Sequence, residues 1–179
     1  MRQKIIALVG ISGVGKTTFL KGAAKSLAFQ HLTAGSLIAR ARVADDNHRD
    51  RLRFADIDDN QTLLVEGFKL AKDASASLVI LDGHTVIHGS NGLLSIDSAV
   101  FAALGIDAMV HLEADPSQIL INRQGDSTRI RPALSIAELA EHQAHSLAVA
   151  GRIAQALSIP LQCVSHGDKD NFCDFASRS

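Results

Sequence analysis

GISGVGKTT, residues Gly10–Thr18, matches the pattern G-x-x-x-x-G-K-[ST] at every fixed position. An apolar run, Lys4–Val9, precedes it and reads as a buried strand, and a helix is expected to follow over Gly15–Ala28. Glycine lets the backbone turn tightly enough for successive amide N–H groups to converge on phosphate oxygens. The helix behind the loop adds the positive end of its dipole. The expected ATP-binding set is therefore Gly10, Ser12, Gly13, Val14, Gly15, Lys16, Thr17 and Thr18. In this set Lys16 reaches the β- and γ-phosphates and the Thr17 hydroxyl ligates Mg²⁺. The spacing of a dinucleotide fingerprint, G-x-G-x-x-G, is absent here.

Outward from the loop, apolar runs alternate with helical stretches. Strands are expected at Gln30–Ala34, Leu78–Leu81, Ala108–Leu112 and Leu161–Val164, with helices over Ser36–Val43 and Asp58–Ala74. Asp115 with Pro116 and Gln118, and Ser135 with Glu138, read as capping arrangements that open two more helices, the second reaching about Leu157. The strand runs are continuously apolar rather than alternating, as in a parallel sheet covered on both faces. The expectation is a three-layer α/β/α fold of P-loop kinase type, a five-stranded parallel sheet in one domain spanning residues 1–179.

Composition narrows the function classes. The 179 residues are 46% hydrophobic and 21% charged, ordinary values for a globular chain, and with aromatics at 4% the core must be aliphatic. A net charge of -1 argues against a protein built to coat nucleic acid or an anionic membrane. Two widely spaced cysteines, Cys163 and Cys173, suit a reduced, cytoplasmic protein. No apolar run reaches membrane length.

Asp82 ends one of the buried strands, and in parallel sheets ligands bind beyond the carboxyl ends of the strands. It is expected beside Lys16 and Thr17, holding the Mg²⁺ shell directly or through water. A zinc site built on Asp82, His84 and His88 is disfavoured, because Gly83 and the β-branched pair Thr85–Val86 oppose the helix that would bring the histidines together.

GISGVGKTT, AGS at 34–36, HRDRLR at 48–53, LDGHTVI at 81–87 and DSTRIRP at 126–132 occur in that order over nearly the whole chain. The set resembles the archaeal-type adenylate kinases, within the nucleoside monophosphate kinase group of P-loop kinases. That resemblance implies transfer of the γ-phosphoryl group of Mg-ATP to AMP. It also implies that His84 and Thr85 line the site between two nucleotides, and it is compatible with a homo-oligomer.

Arginine suits such a reaction because its planar fork grips phosphate oxygens in pairs. Arg123, Arg129 and Arg131 lie in a Gly- and Ser-containing stretch that reads as a lid over about residues 124–134, in the Thr-Arg-x-Arg order of the resembled family. Arg123 can stack on the adenine or meet a phosphate. Arg49 and Arg53, four apart, fall on one face if helical and would grip the acceptor's phosphate, with Gly35 and Ser36 shaping the same pocket. These residues belong to an acceptor-binding insertion of about residues 36–76. Two positions depart from the family: Leu147 stands near a family arginine, and His88 begins HGSN where the family carries Lys with Pro-Lys-Gly. Two other readings share the loop: a kinase with another small-molecule or nucleotide acceptor, and an ATP-dependent switch or assembly factor that hydrolyses slowly.

Overall fold

A computed structural model describes residues 2–44, 57–89, 92–126 and 132–178. In chain order the elements are β1 (Lys4–Val9), α1 (Lys16–Ala23), β2 (Gln30–Thr33), α2 (Ala34–Ala44), α3 (Ile57–Ala71), β3 (Leu78–Asp82) and β4 (Val86–Gly89). They continue with β5 (Gly92–Ser95), α4 (Ser98–Leu104), β6 (Ala108–Leu112), α5 (Pro116–Gly125), α6 (Ile136–Leu157), β7 (Leu161–Val164) and α7 (Lys169–Ser177). Strands β2-β3-β1-β6-β7 form a five-stranded sheet, and every pairing in it is parallel. The α/β fold read from the sequence is the one that forms.

Because side chains alternate across a strand, β1 feeds two cores. Ile5, Ala7 and Val9 pack on one face against Leu37 of α2, Leu64 and Phe68 of α3, Phe101 of α4 and Val149 of α6. Ile6 and Leu8 pack on the other against Phe19 of α1, Ile119 of α5 and Phe172 of α7. Phe19, Ile6 and Leu8 are fully buried, and each such side chain contributes about 1.5–3 kcal/mol of transfer free energy. Helices therefore cover both faces, which is why the strand runs show no polar alternation.

Local chemistry sets the helix ends. Ser135 and Glu138 make a reciprocal capping box at the start of α6. At α5 the expected box is only half made: Asp115 accepts from the Ser117 amide, while Gln118 gives its side-chain amide to Asn122 instead. Helix α1 stops at Ala23 rather than Ala28, and the chain turns so that Leu27 and Phe29 pack against the second core. Gly67 of α3 lies against the Leu37 carbonyl of α2 with no room for a Cβ, so these helices meet at backbone distance. Four elements were not anticipated: β4 and β5, which form an antiparallel hairpin, α4 and α7. No helix among the described residues is long and apolar enough to cross a membrane.

Candidate active site

Register brings the candidate residues together. Leu8 of β1 pairs with Asp82 of β3, Asp82 pairs with Thr33 of β2, and Val9 pairs with His111 of β6. The phosphate-type loop leaves β1 one residue later, so its lysine and the strand-end carboxylate share one edge of the sheet. Lys16 Nζ lies 3.7 Å from Asp82 Oδ1 and donates to the Gly10 carbonyl at 2.9 Å. The two side chains are only 8% and 11% exposed, so the pair sits in a medium well below the dielectric of water. His31 Nε2 of β2 lies 3.7 Å from the second Asp82 oxygen. His84 Nδ1 donates to the same Gly10 carbonyl at 2.8 Å, which ties the turn after β3 to the loop after β1.

Gly13 and Gly15 both sit at φ +93, a region L side chains rarely enter, and both are closely covered. A Cβ on Gly13 would meet Arg123 Cγ at 2.5 Å, and one on Gly15 would meet His166 Nε2 at 2.6 Å. The loop is thus sandwiched between α5 and the turn after β7.

Over this edge lies a cleft of about 1230 Å³. On the β1–β6–β7 side it is lined by Ser12, Gly13, Gly15, Thr17, Thr18 and Asn122, together with His166. On the β2–β3 side it is walled by α2, α3, α4 and the hairpin, through residues such as Ser36, Asn60, Leu64, Ile87 and Phe101. Asp82 ends β3, His84 follows it and Lys16 follows the loop after the neighbouring β1, and all three line the same cleft.

Most of the residues picked out from the sequence converge here. Ser12, Gly13, Gly15, Lys16, Thr17, Thr18, Gly35, Ser36, Asp82 and His84 all line the cleft. Gly10 backs onto the Leu112 carbonyl, and the Val14 side chain is buried in the second core, so these two offer main chain only. Arg123 covers Gly13 with its stem, and its guanidinium donates to the Pro132 carbonyl at 2.9 Å. Thr85 is a correction. Expected on the cleft wall, it is fully buried, and its hydroxyl donates to the Ser146 carbonyl of α6 at 2.9 Å. Arg49, Arg53, Arg129 and Arg131 lie outside the described residues.

His166 and Asn122 were missed. His166 Nε2 donates to the Val14 carbonyl at 2.7 Å, and Asn122 Nδ2 donates to the Gly13 carbonyl at 2.9 Å. Asn122 adjoins Arg123 and sits on a helix whose start was legible, a usable signal; His166, in a short turn, gave none.

Behind the cleft runs a buried polar seam. His111 is fully buried, with Nε2 3.1 Å from Ser146 Oγ, which is itself 3.0 Å from Thr85 Oγ1. Burial, and then the Lys16 charge, lower the His111 pKa to about 4. His142 of α6 is 5% exposed and packs edge-on to His88, their ring centroids 4.8 Å apart. Neither of its ring nitrogens has a hydrogen-bond partner among the described residues. Its pKa is lowered to about 4 by burial first, then by the nearby His88, Arg123 and His145.

Both imidazoles resist protonation in the folded state, whereas in the unfolded chain they protonate near the ordinary histidine value of 6.5. Between those values the unfolded state binds more protons, so stability falls as pH drops from 6.5 toward about 4. The melting temperature of the wild type is expected to fall over this window, and that of His142→Leu to fall less steeply. Parallel melting curves against pH would refute the assignment.

The chemistry available at the strand ends is that of oxygen donors around a phosphate cradle. The Thr17 hydroxyl and the Asp82 carboxylate are hard ligands, a donor set that suits Mg²⁺ rather than a softer metal.

Comparisons with known proteins bear on the family and the fold. A family model described as an AAA domain matches residues 9–140. An adenylate kinase from Methanoculleus marisnigri is 28% identical over 173 residues, 92% of this chain and 90% of that protein. Adenylate kinases from Methanocaldococcus jannaschii and Thermoplasma acidophilum are 28% and 32% identical over 151 and 145 residues, covering 79% and 76% of this chain and 79% and 75% of their own. A solved sugar kinase from Janibacter sp. is similar in fold, with a TM-score of 0.56 at 14% identity over 98% of this chain and 92% of that one.

Proposed function

As this chain matches the AAA-domain family model and is a P-loop nucleotide kinase related to the archaeal adenylate kinases, we propose that it transfers the γ-phosphoryl group of Mg-ATP to AMP. The observation that carries this reading is the Lys16–Asp82 pair in a cleft lined both by the phosphate-type loop and by residues of α2, α3 and α4. Phosphoryl transfer asks little covalent chemistry of a protein. It asks for two substrates in line, charge stabilisation and exclusion of water.

In this reading ATP lies with its phosphates on the loop of Gly10, Ser12, Gly13, Val14, Gly15, Lys16, Thr17 and Thr18. Thr17 and Asp82 would hold Mg²⁺, which when bound neutralises charge on the β- and γ-phosphates. Lys16 exchanges the Gly10 carbonyl for phosphate oxygens. AMP lies under α2, α3 and α4, against Gly35, Ser36 and His84, and is covered by an acceptor-binding segment of about 36–76. Arg49 and Arg53 grip its phosphate, and Arg123, Arg129 and Arg131 stabilise the transferred group under a lid of about 124–134. No nucleophile on the protein is required. Free thiols at Cys163 and Cys173 suit the reducing cytoplasm.

The expected result is ADP formation that requires both ATP and AMP with Mg²⁺. Equal ADP formation by Lys16→Ala would reject the reading. Turnover on another monophosphate or small alcohol, with none on AMP, would move the acceptor assignment while leaving the ATP site. Slow ATP hydrolysis insensitive to every acceptor would favour a switch.

A further inference from the structure

We infer that His166 and Asn122 are positioning residues that hold the phosphate loop in its anion-binding shape before nucleotide arrives. The inference rests on the proposed seating of the triphosphate on this loop. Each side chain donates to a loop carbonyl from outside the loop, His166 to Val14 at 2.7 Å and Asn122 to Gly13 at 2.9 Å.

A peptide unit is planar, with its C=O and N–H pointing opposite ways. Fixing the Val14 carbonyl therefore fixes where the Gly15 amide points. The Gly13–Val14 unit is held at both ends, since the Val14 amide donates to the Ile11 carbonyl at 3.2 Å. Glycine at 13 and 15 leaves these peptide planes free to rotate in the absence of such bonds. An anion nest made of flexible peptides must be ordered on binding unless something else orders it first.

Both braces are themselves held. The Asp168 carboxylate accepts from the Ser165 amide at 2.8 Å and the Ser165 hydroxyl at 2.7 Å, closing the turn that carries His166. The His166 ring stands edge-on to Phe19, with centroids 6.1 Å apart. Asn122 Oδ1 accepts from Gln118 at 3.0 Å, which leaves its Nδ2 as the group facing Gly13. These bonds join the loop to α5 and to the turn after β7, so the loop's shape does not depend on the bound ligand.

The test compares His166→Leu, which keeps an apolar side chain of similar branching but has no donor, with His166→Gln, which keeps an N–H donor but loses the ring. Calorimetric titrations use Mg-ATP and, separately, inorganic tripolyphosphate, which carries no base. Loss of one such bond is expected to weaken binding of both probes about tenfold in His166→Leu and in Asn122→Leu. His166→Gln should stay within about threefold of wild type. In steady-state assays KM for ATP should rise in the leucine variants while kcat holds, because saturating nucleotide templates the loop. Three outcomes would overturn the inference: Gln as weak as Leu, which means packing; loss for ATP but not tripolyphosphate, which means base contact; and no loss at all. A wild type that binds neither probe would instead overturn the seating of the triphosphate, and this inference with it.

Discussion

Lys16→Met is expected to lower phosphoryl transfer by about 10³-fold while leaving the protein folded. The ammonium lies 2.9 Å from the Gly10 carbonyl and 3.7 Å from Asp82, poised to be exchanged onto phosphate oxygens. Methionine fills a similar volume, so packing beside β1 changes little. Asp82 keeps His31 at 3.7 Å as compensation, so the melting temperature should fall by only a few degrees. Affinity for metal-free ATP should collapse along with activity, because the lost charge faces the phosphates themselves. Retained turnover in this variant would remove Lys16 from the chemistry.

Asp82→Asn carries the second large effect, and its signature has the opposite sign. The amide is isosteric but no longer an anionic oxygen ligand, so turnover should drop about 10²- to 10³-fold and half-saturating Mg²⁺ should rise. Metal-free ATP should bind as well as in the wild type or better, since a carboxylate facing a polyphosphate is repulsive in the absence of the cation. Lys16→Met loses metal-free ATP and Asp82→Asn does not. That contrast separates a phosphate contact from a metal contact with one titration each. Unchanged Mg²⁺ dependence in Asp82→Asn would assign Asp82 to pairing with Lys16 alone.

The sheet was readable because its strands are buried on both faces, which leaves an apolar run with no alternation. β1 and β6 came out at their observed ends for this reason, and β7 did so although this edge strand is only partly buried. The β4–β5 hairpin did not, because it lies outside the main sheet and Leu93 and Leu94 are both exposed, giving no one-sided pattern. α7 carries an apolar stripe of Phe172, Phe175 and Ala176, but its nine residues make little more than two turns, too short to stand out. Half of the candidate site was local in sequence: the loop is one contiguous stretch, and Asp82 ends a recognisable strand. The remainder depends on contacts between distant segments. His166 meets Val14 across 152 positions, and Thr85 turns toward Ser146 across 61, so neither the presence of the first nor the withdrawal of the second is written locally.

In the proposed reaction two nucleotides share one cleft at the Lys16–Asp82 pair. The most direct measurement is calorimetric titration with a molecule in which two adenosines are joined through five phosphates. Linking both occupants converts the second binding event into an intramolecular one, so this compound should bind one per chain and about 10²-fold or more tighter than ATP. Affinity no greater than that of ATP, or displacement of it by ATP but never by AMP, would contradict a shared cleft.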